Sequence, residues 1–311
     1  MDYAQFHHRC GETHTAWVHR WSPGARKAPA RAVVQIVHGM AEHGARYGRI
    51  AERLVGAGYA VYAQDLPGHG RSVQSREELG HVDDEDGWPQ TLAAINAVRS
   101  LAEREQPGAP LFLLGHSRGS FLLQDYLVEH GRGLAGAVFS AGTGDLGPLR
   151  RIGEWLLRLE ALWQGRAHRS AIADQLTFKD FNRRFKPART DFDWLSRDPA
   201  EVDAYIADPL CGFRCSCALW LELMAMGGRM NDAERLQRVP TTLPVLLLNG
   251  SDDPACRGAT GARALERLYR DAGLSDVTLT LYSDARHELL NDLCRDQVAD
   301  DLLTWLAARS E

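Results

Sequence analysis

No stretch of this chain has the length of apolar sequence that a membrane-crossing helix requires. The opening residues, MDYAQFHHRCGETH, contain no apolar core of the kind a secretory signal carries. Cytoplasmic residence is therefore expected, at most peripheral to a membrane. There is no excess of basic charge either. The net charge is −5, which gives no electrostatic reason to expect nucleic acid as a partner. Paired metal-binding cysteines are also missing. The six cysteines fall at 10, 211, 215, 217, 256 and 294, and the cluster Cys211, Cys215, Cys217 has no second half and no histidine near it in sequence. Buried free thiols are the expected reading, with no metal. FHHRC, at residues 6–10, is no stronger a cue.

What the chain does have is 311 residues with 44% hydrophobic and 25% charged content, ample for one large α/β domain with an insertion. Short apolar runs alternate with helical spacing. AVVQIVHG (32–39), YAVYAQD (59–65), the run at 111–115, AGAVFSA (135–141), LPVLLLNG (243–250) and VTLTLYS (277–283) read as strands. Helical patterns between them imply a mostly parallel sheet covered on both faces. The first thirty residues add an antiparallel edge hairpin. From about 142 to 240 the alternation stops. RIGEWLLRLEALW (151–163) sets Ile152, Trp155, Leu156, Leu159, Leu162 and Trp163 at helical spacing, and ALWLELMAMGG is a second helix. This segment is expected to be a helical insertion, its aromatic stripe packed on the core. The predicted organisation is an α/β core in two parts, 1–141 and 240–311, with a cap at 142–239.

One motif must be set aside. GTGDLG (142–147) matches the Gly-x-Gly-x-x-Gly of dinucleotide sites, but it follows about the fourth parallel strand, and no ribose-binding acid ends a later strand. It reads as a hinge into the insertion.

The informative stretch is LFLLGHSRGSFLLQDYL (111–127), where Gly115-His116-Ser117-Arg118-Gly119 separates a buried strand from a helix. Gly-x-Ser-x-Gly in that context is a sharp turn that lifts the serine hydroxyl above the strand end. A serine nucleophile needs a histidine base, and the histidine needs an acid to orient it. In this topology they follow in the order serine, acid, histidine. His287 is the one histidine after 168. Asp252 and Asp253 lie just past a strand; Asp253 is preferred, with Asp145 third. The oxyanion needs two amide donors: Arg118 supplies one and Met40, in the loop VHGMAEHG shaped by His38 and Gly39, the other.

HGMAEHGARY, DLPGHGRS, LLGHSRGS, NGSDDP and ARHELLND together resemble the monoacylglycerol lipase and lysophospholipase branch of the α/β-hydrolases, also described as serine aminopeptidase-like. The resemblance runs from about residue 30 to the C-terminus. It implies the α/β-hydrolase fold, the triad Ser117, Asp253, His287, and an oxyanion hole from the amides of Met40 and Arg118. It also implies substrate contacts from Glu42, Arg46 and His116, a cysteine (Cys256) beside the acid, and a cap over an acyl tunnel. No cofactor is implied. The expected partner is a small-molecule acyl ester, with transient membrane contact through the cap as a further option. Where many members have methionine and glycine, this chain has Arg118 and Ser120. The expected activity is hydrolysis of a monoacylglycerol, lysophospholipid or similar single-acyl ester. The alternatives are a short-chain carboxylesterase, an iminopeptidase-type amide hydrolase using Glu201, Asp203 or Glu222 to hold an amine, and a non-catalytic lipid binder.

Overall fold

The computed structural model describes residues 1–11, 14–24, 29–147 and 150–310. Residues 12–13 and 25–28 of the expected edge hairpin region, and 148–149 of the expected cap, lie outside them.

Strands that are apolar on both faces must be covered on both faces, and that decides the architecture. β3 (Val33–Val37), β4 (Ala60–Gln64), β5 (Leu111–His116), β6 (Gly136–Ser140) and β7 (Val245–Gly250) are buried at every residue. Outside them lie β8 (Val277–Tyr282) and the hairpin of β1 (Asp2–Cys10) and β2 (His14–Ser22), where exposed and covered residues alternate along β1. The eight strands form one sheet in the order β1-β2-β4-β3-β5-β6-β7-β8. Pairing is antiparallel for β1–β2 and β2–β4 and parallel for the rest.

Alternate side chains of each strand feed two cores. Val34, Ile36, Phe112, Leu114, Val138 and Leu248 pack with Ile50 and Leu54 of α1 (Gly48–Gly56) and with Leu302 and Trp305 of the C-terminal helix Arg295–Ala307. Val33, Val37, Leu113, Phe139 and Leu247 face α2 (Gly87–Glu105), α3 (Arg118–His130) and the helix Gly258–Asp271. Each fully buried Leu or Phe contributes about 1.5–3 kcal/mol, so the two faces hold the sheet between helices without any disulfide.

Between β6 and β7 there are helices and turns: α4 (Arg150–Gln164), α5 (Ala171–Leu176), α6 (Phe178–Phe181), α7 (Pro199–Ala207), α8 (Cys217–Arg229) and α9 (Ala233–Leu236). The helices after β7 and β8 are then α10 (Gly258–Asp271) and α11 (Arg295–Ala307). Trp194, Leu195 and Tyr205 make a small core of their own with Phe178, Phe181 and Phe192.

The expected burial of the α4 stripe is overturned. Leu157 and Ala161 are the buried residues of α4, whereas Trp155 is 60% exposed, Leu162 84% and Trp163 89%. Ile152 and Leu159 are exposed with them. The helix turns its narrow Leu157–Ala161 edge inward against α8, and the wide aromatic face goes outward. GTGDLG serves close packing. A Cβ on Gly144 would sit 2.6 Å from the backbone of Leu265 on α10, and the Gly144 amide donates to the Gly261 carbonyl at 3.1 Å.

Candidate active site

The parallel register brings the carboxyl ends of β3, β5, β7 and β8 to one edge of the sheet, where such folds place their ligands. Ser117 sits between β5 and α3 with φ 51° and ψ −118°, a strained conformation for a residue with a side chain. The two flanking glycines permit it. A Cβ on Gly115 would lie 2.6 Å from the Gly119 carbonyl, and one on Gly119 would lie 2.1 Å from the Val37 carbonyl.

Ser117, His287 and Asp253 form one hydrogen-bonded chain. Ser117 Oγ is 2.9 Å from His287 Nε2, and His287 Nδ1 is 2.9 Å from Asp253 Oδ2. Asp253 is fully buried, and its other oxygen accepts the amides of Ala255 (2.9 Å) and Cys256 (3.3 Å). Burial alone would raise its pKa; the charge and hydrogen bond of His287 and the amide donors hold it below the ordinary value. Burial likewise pulls His287 down, but the Asp253 carboxylate outweighs it and the imidazole stays above 6.5. Trp194 packs its ring 4.9 Å from that of His287, and its carbonyl accepts the His287 amide at 3.4 Å. Asp145, the third candidate acid, pairs instead with Arg257, and Asp252 is outside the chain of bonds.

The amides of Met40 and Arg118 have no acceptor among the described residues, and both residues line the cavity that Ser117 and His287 enter. His38 holds the Met40 loop in shape. Its Nδ1 bonds the Gly39 carbonyl at 2.7 Å and its Nε2 accepts the Leu66 amide at 2.8 Å. Burial lowers its pKa to about 4, so it stays neutral and serves as a strut. Glu42 reinforces the loop: Oε1 accepts the Gly39 amide at 2.6 Å and the Tyr47 hydroxyl at 2.9 Å.

The three expected substrate contacts have partners within the fold. Glu42, Arg46 and His116 are not among the residues lining the cavity. Arg46 is held by Glu42 (2.8 Å) and by both oxygens of Glu288 (2.6 Å each), with its guanidinium over the Tyr205 ring. His116 is buried against Ser140 Oγ at 3.3 Å, its pKa pulled down to about 4 by burial. Polar residues buried so close to the Ser117 turn satisfy one another before any ligand arrives. Glu288 and Trp194 were missed by sequence reasoning; the adjacency of Glu288 to His287 was the available signal.

The cavity has a volume of about 470 Å³ and is walled by Phe121, Leu156, Phe178, Trp194, Trp220, Leu223 and other apolar side chains, many from the segment between β6 and β7. Arg118 is 1% exposed, and none of its guanidinium nitrogens has a hydrogen-bond partner among the described residues. It lies over the Trp88 ring at 5.8 Å, and burial lowers its pKa against the opposing charge of Glu222. Of the acids considered for holding an amine, Glu201 pairs with Arg49 and Asp203 with Arg189 at 2.6 Å each, and Glu222 accepts the Trp88 amide at 2.9 Å. None of the three lines the cavity.

Residues 28–294 match the family described as serine aminopeptidase, S33. The chain belongs to that family. Within and around it, the chain is 28% identical to a monoacylglycerol lipase of Mycolicibacterium smegmatis, over 93% of this chain and 91% of that protein. It is 29% identical to human monoglyceride lipase, over 93% and 86%. A crystal structure of a Paleococcus ferrophilus monoacylglycerol lipase superimposes with a TM-score of 0.69 at 26% identity, covering 94% of this chain and 99% of that one. A thermostable Bacillus coagulans carboxyl esterase, at TM-score 0.88 and 23% identity over 100% of both chains, shares the α/β-hydrolase fold.

Proposed function

We propose that this S33 chain is a serine ester hydrolase that cleaves a monoacylglycerol or a similar single-acyl ester through an acyl-enzyme. The observation that carries the reading is the Ser117–His287–Asp253 chain opening into an apolar cavity of about 470 Å³. His287 Nε2 takes the Ser117 proton as Oγ attacks the ester carbonyl, and Asp253 balances the imidazolium. The amides of Met40 and Arg118 hold the oxyanion. The alcohol leaves with the proton from His287, and water activated by the same nitrogen releases the carboxylic acid. Residues 142–239 act as the cap, and its aromatic walls select for an acyl chain.

An amine-holding peptidase is disfavoured. Asp180 is the acid lining the cavity, and it pairs with Arg183 at 2.9 Å. The exposed α4 face, with Trp155, Leu162 and Trp163, supports transient contact of the cap with a membrane surface by an enzyme of the cytoplasm.

Initial rates on p-nitrophenyl esters from acetate to palmitate and on monoacylglycerols, with Ser117→Ala alongside, test the proposal. Turnover of the long-chain substrates that disappears in the variant supports it. Preference for acetate would move the reading to a short-chain esterase, and no turnover at all would leave a binding role.

A further inference from the structure

Two groups of metal-donor side chains occur among the described residues. One is Asp253, Cys256 and His287, part of the site above. The other is His43, Asp208 and Cys211, whose donor atoms all lie within 4.8 Å of one another. In sequence no histidine stands near Cys211. The fold supplies one by folding the loop after β3 against the turn after α7. Asp208-Pro209-Leu210-Cys211 is a turn closed by the Cys211 amide on the Asp208 carbonyl at 3.1 Å, with the two-residue spacing common in zinc-binding halves. That turn is anchored to the loop at two further points. The Gly212 amide and the Tyr205 hydroxyl both donate to the Ala41 carbonyl, at 3.0 and 2.9 Å.

We infer that His43, Asp208 and Cys211 form a site for a divalent cation of the zinc class, bridging the Met40-bearing loop and the segment after α7. Thiolate, imidazole and carboxylate are a donor set that favours zinc or cobalt over magnesium or calcium. A tetrahedral ion with bonds of about 2.0–2.3 Å needs donors roughly 3.5 Å apart, a small adjustment from the spacing present. His43 Nε2 now bonds Asp208 Oδ2 at 2.9 Å, and that bond gives way as both atoms turn to the ion. The proton that His43 Nε2 donates to Asp208 passes to Nδ1 by exchange with solvent, which leaves the Nε2 lone pair for the ion. The Cys211 thiol proton is released to solvent, and water takes the fourth position through the partly exposed Asp208 side.

Cys215 and Cys217 take no part; both are buried free thiols.

The test uses the full chain stripped with chelator and titrated with cobalt(II), following thiolate-to-cobalt charge-transfer absorption, for the unsubstituted protein, Cys211→Ser and Asp208→Asn. One equivalent should generate the band in the unsubstituted protein. Cys211→Ser should abolish it, and Asp208→Asn should weaken binding on the order of 10-fold or more. Zinc should raise the unfolding temperature of the unsubstituted protein and leave that of Cys211→Ser unchanged. Cooperative unfolding without metal shows that each near-isosteric variant is folded, and the two variants probe the site through different positions. A band that persists in Cys211→Ser would assign the metal to another thiol and overturn the inference. Absence of any band or shift in the unsubstituted protein would overturn it as well.

Discussion

Glu288 follows His287 directly and grips Arg46 through both carboxylate oxygens, each 2.6 Å from a guanidinium nitrogen. Arg46 also holds Glu42, and Glu42 holds the Gly39 amide next to Met40. One ion-pair network therefore ties the loop carrying His287 to the loop carrying Met40. Glu288→Ala leaves Arg46 buried with one partner fewer, which costs about 3–5 kcal/mol for a buried pair broken on one side. Urea unfolding should show that loss, and kcat should fall with little change in KM. Glu288→Gln, which keeps a hydrogen bond, should recover part of both. A variant with unaltered kcat would show the network to be purely structural.

In the proposed mechanism the imidazole of His287 must be neutral to take the Ser117 proton. Its pKa lies above 6.5 because the Asp253 carboxylate outweighs the downward pull of burial. kcat/KM should accordingly rise with pH through a value above 6.5. In Asp253→Asn the raising charge is gone and burial prevails, so the acid limb should move to lower pH while the rate falls about 10⁴-fold. The stability signs are opposite for the two partners. His287, raised on folding, contributes stability fully present below about 6.5 and lost as pH rises through its folded pKa. Asp253, lowered on folding, contributes stability present above its ordinary value near 3.8 and lost as pH falls through its folded pKa. Chemical unfolding at a series of pH values, with and without each side chain, reads both.

The outward face of α4 predicts a surface phenotype. Trp155, Leu162 and Trp163 are mostly exposed. Replacing Trp155 and Trp163 with serine should change the unfolding midpoint little, since neither packs in the core. Rates on vesicle-borne monoacylglycerol should fall several-fold while those on a soluble ester stay within about twofold, because the lost contribution is partition to the interface. Equal losses on both substrates would place these residues in catalysis or packing.

The sheet was legible because each central strand is a short apolar run buried on both faces, and Gly115 and Gly119 announced the turn at Ser117. His287 and Asp253 were legible because topology dictates their order along the chain. The α4 face was not. Periodicity shows that Trp155, Leu159 and Trp163 share a side of a helix but carries no information on whether that side meets protein or solvent. The ion pair of Arg46 with Glu288 was illegible for a related reason. Glu288 is distant from Arg46 in sequence, and nothing in the local pattern shows that a charge will be neutralised from across the fold.

Arg118 follows Ser117 as a buried cation without a hydrogen-bonded partner among the described residues, facing the Trp88 ring and the charge of Glu222. Its backbone amide is the proposed oxyanion donor, and that donor is independent of the side chain. Arg118→Met should therefore keep most of the activity. Taken alone it removes the charge that opposes the burial-driven rise of the Glu222 pKa, so Glu222 should shift further up. With Glu222→Gln added, both buried charges are gone, while an amide oxygen still accepts from the Trp88 amide that Glu222 now holds at 2.9 Å. Replacing buried charges with uncharged side chains of similar volume is neutral to stabilising, by about 1–4 kcal/mol in favourable cases. The double variant should be at least as stable as the parent and more stable than Glu222→Gln, which strands the guanidinium. Unfolding free energies of the four proteins close a double-mutant cycle. A coupling energy near zero would mean that Arg118 and Glu222 ignore each other across their buried gap.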